Sequence, residues 1–143
     1  MRYHFKIKKE SKGYSAACIE LPGCVTQGNS REELLANMEE ALNLYLDEPA
    51  DSKTLSPLPR KRVNGKLIVE VAVQPRIAFS FALRMTRLKL KLTQKEAAAR
   101  IGINGSLNNY QRLENSITAN PVLETLVQIK RAFPDFPIEQ IAS

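Results

Sequence analysis

At 143 residues the chain has room for one ordinary domain or two small ones. Apolar residues make up 43% and charged residues 25%, the balance of a folded protein rather than a disordered one, and no run approaches the roughly 18 apolar residues that a membrane span needs. The net charge of +6 is unevenly placed: residues 1–74 carry 11 Lys/Arg against 10 Asp/Glu, and residues 75–143 carry 10 against 5.

The opening MRYHFKIKKE alternates polar and apolar residues instead of forming a signal peptide's apolar run, so a cytoplasmic protein is expected. Tyr3, Phe5 and Ile7 alternate with Arg2, His4, Lys6 and Lys8, which predicts a strand with His4 on its polar face. Gly13 marks a turn into a second strand, Tyr14–Glu20, and Leu21-Pro22-Gly23 interrupts the ladder before a third, Cys24–Gln27. Cys18 and Cys24 lack CxxC spacing and clustered histidines; they are expected as small apolar side chains, with no zinc site and no disulfide framework.

Ser30 and Glu33 form a capping box ahead of Leu34, Met38, Ala41, Leu42 and Tyr45, whose spacing predicts an amphipathic helix over 31–47. Pro49, Pro57, Pro59 and Gly65 make 49–65 a loop inside the first domain. Lys66–Val73 then predicts a strand with Leu67, Val69, Val71 and Val73 on one face. The first domain, 1–74, is thus expected to be β-β-β-α-β, and the fold class α+β.

Several of these residues resemble the signature of the HicB antitoxins: Gly13-Tyr14, the run Leu21-Pro22-Gly23-Cys24-Val25-Thr26-Gln27-Gly28, and the helix with Glu33, Ala36, Glu40 and Ala41. The resemblance covers nearly all of 1–74. It implies a reduced RNase H-like fold that binds and neutralises HicA, a small RNA-cleaving toxin; it does not place the toxin-contacting residues. Nuclease chemistry is not expected, because two-metal sites need several converging carboxylates beginning on the first strand. Here that strand has none before Glu10, Glu20 and Glu70 read as solvated surface, and His4 has no carboxylate or thiol at a ligand or base spacing. No enzyme, metal or cofactor is expected.

After Pro75 the period changes to 3.6: Ile77, Phe81, Leu88 and Leu92 share a face, with Arg84, Arg87, Lys89 and Lys91 largely outside it. Between Arg76 and Arg112 there are 8 basic residues and one acid, Glu96. Such a field fits a phosphate-binding module, and it fits a solvated helix face equally well. Thr93 and Glu96 form a second capping box, Ala97, Ala98 and Ala99 allow close helix packing, and Gly102 suits the left-handed end of a helix. Helix, tight turn, helix is the DNA-reading arrangement.

Leu92-Thr93-Gln94 through Ala98 to Gly102 resembles the helix-turn-helix of phage-repressor-type regulators. Tyr110-Gln111-Arg112-Leu113-Glu114-Asn115 resembles the end of its recognition helix, and Pro121 with Leu123, Leu126, Ile129 and Phe133 its closing helix. The spacing from Gly102 to Glu114 is about two residues longer than that pattern, which is expected to lengthen the turn at Asn104-Gly105 and leave Ser106 as helix cap. The second domain, 75–143, is therefore expected to be an all-α helix-turn-helix domain, with Gln94, Lys95, Asn104, Ser106, Asn108, Asn109, Gln111 and Arg112 as DNA-binding residues. Asn and Gln pair bidentately with adenine and Arg with guanine, whereas Gln94 and Lys95 suit phosphate. For any single Asn, an exposed polar residue is the competing reading, and Tyr110 and Leu113 are assigned to the core.

The expected function is an antitoxin that binds a HicA-type toxin and represses its own operon through double-stranded operator DNA, as a homodimer or higher oligomer. The alternative is a transcription regulator, without a toxin partner, whose N-terminal domain senses a ligand or oligomerises.

Overall fold

A computed structural model describes residues 1–103 and 106–143. The chain is mixed α+β, with one four-stranded antiparallel sheet and six helices among the described residues. It divides into two compact units: residues 1–46, 56–74 and Ser143 form the first, and residues 47–55 and 75–142 the second. The Pro-rich loop 49–65 is thus shared, its early part packing with the second unit and its later part with the first.

In the first unit, β1 (Arg2–Lys9), β2 (Tyr14–Cys18), β3 (Val25–Gly28), α1 (Arg31–Leu46) and β4 (Ile68–Ala72) follow in chain order. The sheet order is β3-β2-β1-β4, with Phe5 opposite Cys18 on one side and Val69 on the other. Tyr3, Phe5 and Ile7 are buried, as the alternation requires. Leu34, Met38, Leu42 and Leu46 recur every fourth residue of α1 and are all buried, so this stripe covers the sheet. Ser30 Oγ accepts from the Glu33 N–H at 3.1 Å, satisfying one of the free amides at the helix start. Cys18 and Cys24 are buried free thiols.

Three expectations are corrected. Ala41 and Tyr45 are only half-buried; Asn43 takes a core position instead, where its side chain donates to the Glu39 carbonyl at 2.8 Å and accepts from the Gln74 N–H at 2.9 Å. A buried amide is tolerated because both ends are bonded. Leu67 is exposed: its φ of 63° puts it in the left-handed region, so the regular strand starts only at Ile68. Glu20 and His4 are buried, as described below.

Gly28 ends β3 directly beneath the start of α1. A Cβ there would sit 2.6 Å from Leu34 N and 2.8 Å from Leu34 Cα, against backbone that has no room to yield. Gly28→Ala should therefore cost about 1–3 kcal/mol of first-unit stability. Urea unfolding of the variant would show it, and an unchanged midpoint would refute the close approach.

The second unit contains α2 (Pro75–Lys89), α3 (Gln94–Ile101), α4 (Ser106–Glu114), α5 (Leu123–Ala132) and a short α6 (Ile138–Ala142) that the sequence reading did not anticipate. Pro75 occupies the first helical position, where its missing N–H costs nothing. The core combines Phe79, Phe81, Leu83 and Met85 with Ala97, Ala98, Ile101, Tyr110, Leu113, Ile129, Phe133 and Phe136. Phe79 and Phe136 meet edge to face, with centroids 5.8 Å apart.

The apolar face expected for α2 is wrong in detail. Residues 78–85 are buried without interruption, Ile77 and Leu88 are half-buried, and Arg84 and Arg87 are buried rather than outward. Leu92 lies beyond the helix end. On α5, Ile129 and the following Phe133 are buried, but Leu123 is exposed and Leu126 half-buried.

Candidate nucleic-acid interface

The start of α3 is fixed by its own sequence. Thr93 accepts from the Glu96 N–H at 3.1 Å, and the Glu96 carboxylate accepts from the Thr93 N–H at 3.0 Å, completing the capping box. Hydrogen bonds from Thr93 hold the exposed Glu96 carboxyl below its ordinary range. Gly102 ends the helix at φ 78°, its N–H bonded to the Ala98 carbonyl at 3.0 Å.

On α4 the residues sort by helical spacing. Tyr110, Leu113 and Glu114 are buried; Asn108, Asn109, Gln111 and Arg112 are exposed on the opposite side. The inner side is anchored further by Ser80, whose hydroxyl donates to the Leu113 carbonyl at 3.0 Å. The Arg112 carbonyl accepts from Thr118 Oγ1 at 2.7 Å, which ties the end of α4 to the segment that follows.

Beneath this surface lies a charged cluster that the sequence reading missed. The Glu114 carboxylate accepts from Arg87 Nε at 2.6 Å and Arg87 Nη2 at 3.0 Å, from Gln94 Nε2 at 3.3 Å, and from the Tyr110 hydroxyl. Burial alone would lower the Arg87 pKa, but the bidentate bonds and the charge of Glu114 outweigh it and raise it. Burial, with the Glu114 charge beside it, pushes the Tyr110 hydroxyl upward, so it remains a donor. The available signal was the spacing of Tyr110 and Glu114 by four, which places both on one helix face. The partner Arg87 lies 27 residues away from Glu114, and no local pattern joins them.

Gln94 connects the buried cluster to the exposed face. Half-buried at the first position of α3, it donates to Glu114 and accepts from Gln111 Nε2 at 3.1 Å. Gln94 and Gln111 are thus brought together, Lys95 is exposed beside them, and Asn108, Asn109 and Arg112 share the α4 surface. Asn104 lies outside the described residues, as does the side chain of Ser106. Arg84, expected to face outward, donates to the Glu48 carbonyl at 3.1 Å and stacks 6.0 Å from the Phe81 ring, and burial lowers its pKa. With Arg84 and Arg87 withdrawn, the outward basic residues between Arg76 and Arg112 are Arg76, Lys89, Lys91, Lys95, Arg100 and Arg112.

In the first unit, the reading of His4 and Glu20 as surface groups is overturned. His4 Nδ1 lies 2.7 Å from Glu20 Oε2, and the backbone N–H groups of His4 and Arg60 donate to the same carboxylate at 3.0 and 3.1 Å. His4 Nε2 is 3.5 Å from Glu70 Oε1, too long for a hydrogen bond, and Glu70 is the cross-strand partner of His4. Three long-range donors stabilise a buried carboxylate that alternation along β1 and β2 cannot foresee. Among the described residues, no group of His, Cys, Asp and Glu is arranged to hold a metal ion. Among the described residues, no helix is long and apolar enough to cross a membrane either.

No family model matches the chain. A UPF0150 protein of Thermoplasma acidophilum is 40% identical over 48 residues, which is 33% of this chain and 70% of that protein. The chain belongs to the UPF0150 family. A second UPF0150 protein, from Helicobacter pylori, is 50% identical over 42 residues, and the chain spans 58% of that relative's length. The chain is also similar to a protein named Antitoxin HicB 2 from Photorhabdus laumondii, 29% identical over 102 residues, or 71% of this chain and 70% of that protein. A match of that length in a chain of 143 residues runs from the first unit into the second. The likeness is therefore HicB-like, and it is not confined to the sheet.

Proposed function

We propose that the chain is a HicB-type antitoxin. Its first unit, a reduced RNase H-like domain, binds and blocks a HicA-type RNA-cleaving toxin. Its second unit is a phage-repressor-like helix-turn-helix that represses the toxin–antitoxin operon. It acts in the cytoplasm, without catalytic chemistry of its own, as a homodimer or higher oligomer on paired half-sites. The similarity to Antitoxin HicB 2 carries this reading.

The DNA-binding half is supported by α4, whose inner side is tied down by Tyr110, Leu113 and Glu114 while Asn108, Asn109, Gln111 and Arg112 face outward. Rigid presentation of amide and guanidinium groups is what base reading requires, since each must meet a base edge in fixed geometry. Gln94 holds the Gln111 amide in place, and Lys95 contacts phosphate from the positive end of α3.

Two assays test the proposal together. Co-expression with a HicA-type toxin should restore growth, and continued arrest with soluble antitoxin present would overturn the toxin-binding half. Binding-site selection on Asn109→Ala and Gln111→Ala should relax preference at one operator position each, by about 1–3 kcal/mol. Lys95→Ala should instead weaken binding to all sequences alike. Undiminished preference in both α4 variants would remove α4 as the reading helix.

A further inference from the structure

The turn between α2 and α3 contains a lysine where a glycine is the easier choice. Leu92 N–H bonds to the Arg87 carbonyl at 3.1 Å, and Lys91 N–H to the Leu88 carbonyl at 3.0 Å, with Lys91 at φ 57°. This is the Schellman ending of α2, with Lys91 at the left-handed position usually occupied by Gly. Any residue with a Cβ carries a backbone cost there that glycine avoids, so the position stores strain around a side chain. The Lys91 side chain lines an open cleft of the second unit together with Lys95 and Lys53. Thr93 and Gln94, at the positive N-terminal end of α3, form part of its wall.

Lys53 arrives from a part of the chain that chain order assigns to the other domain. Residues 47–55 pack with the second unit, held there by Ser116 Oγ donating to Asp47 Oδ1 at 2.7 Å and by Arg84 donating to the Glu48 carbonyl. One acid, Asp51, also lines the cleft, so three lysines face one carboxylate. Arg87 touches the same cleft, but its charge is already matched by Glu114.

We propose that Lys53, Lys91 and Lys95 form a clamp for a backbone phosphate of duplex DNA, so that the segment 47–55 is part of the DNA-binding surface. The inference rests on the DNA-binding reading above and extends it beyond α3 and α4. The clamp recognises phosphate, not bases, and therefore adds affinity without sequence preference.

The test is a salt titration of binding by the full-length chain to operator and to unrelated duplex. Each phosphate contact contributes about −0.9 to the log–log slope. Lys53→Ala, on an exposed loop, and Lys91→Gly should each make the slope shallower on both duplexes. Lys91→Gly should do so with a Tm no lower than the wild type's, because glycine accepts the left-handed backbone. Asp51→Asn should strengthen binding, and Lys12→Ala, in the first unit's hairpin turn, should leave the slope unchanged. Wild-type binding with unaltered slopes in Lys53→Ala and Lys91→Gly would overturn the clamp alone. A wild-type chain that binds neither duplex would overturn the DNA-binding reading and the clamp with it.

Discussion

Glu114→Ala is expected to cost the second unit about 3–5 kcal/mol, the range for stripping one partner from a buried ion pair. Glu114 is 2% exposed and Arg87 7%, so both charges are largely withdrawn from water. Removing the carboxylate leaves the Arg87 guanidinium in the core without a counter-charge, and the Tyr110 hydroxyl and Gln94 amide without their acceptor. Because these groups come from α2, α3 and α4, the loss loosens the junction that fixes α4. Urea unfolding should show the drop, and under the proposed DNA-binding role DNA affinity should fall with it. The Arg87→Met/Glu114→Leu double variant should lose less than the sum of its single changes, since no charge is then stranded. A Glu114→Ala loss below about 1 kcal/mol would mean that the cluster is hydrated in solution.

In the first unit, Glu20→Gln is expected to lower stability at neutral pH by about 3 kcal/mol and to flatten its acid dependence. Burial alone would raise the Glu20 carboxyl above its ordinary 4.5. The hydrogen bonds from the His4 ring and backbone and from the Arg60 N–H outweigh burial and hold it below that value. A carboxyl whose folded pKa is depressed contributes its full stability above the unfolded value and loses it as pH falls through the folded one. The wild-type first unit should therefore weaken on acidification below about pH 4.5, and the Gln variant, which cannot titrate there, should weaken less. Denaturant midpoints from pH 7 to 3 read this directly. Parallel profiles for the two proteins would remove Glu20 as the acid-sensitive group.

How far the fold can be read from the residues depends on how local the cause is. The alternation of Tyr3, Phe5 and Ile7, the Thr93–Glu96 cap and the left-handed Gly102 are each set within a few residues, and the structure contains them all. The burial of Tyr110 and Leu113 follows from helical spacing in the same way. The α6 helix, a five-residue segment late in the chain, is too short to carry a periodic signal.

By itself, then, the sequence determined the four strands to within a residue or two, α1 to α5, the Thr93–Glu96 cap of α3, and the face of α4 that Asn108, Asn109, Gln111 and Arg112 share. Tertiary structure alone decided which charges are buried. His4 meets Glu20 across 16 residues and Arg87 meets Glu114 across 27, and each partner offsets hydration that burial removes. Read without those partners, all four residues look like surface. The same reason applies to 47–55: its association with the second unit depends on Ser116 and Arg84, 69 and 36 residues from the groups they bond, and no period or motif within the segment encodes them.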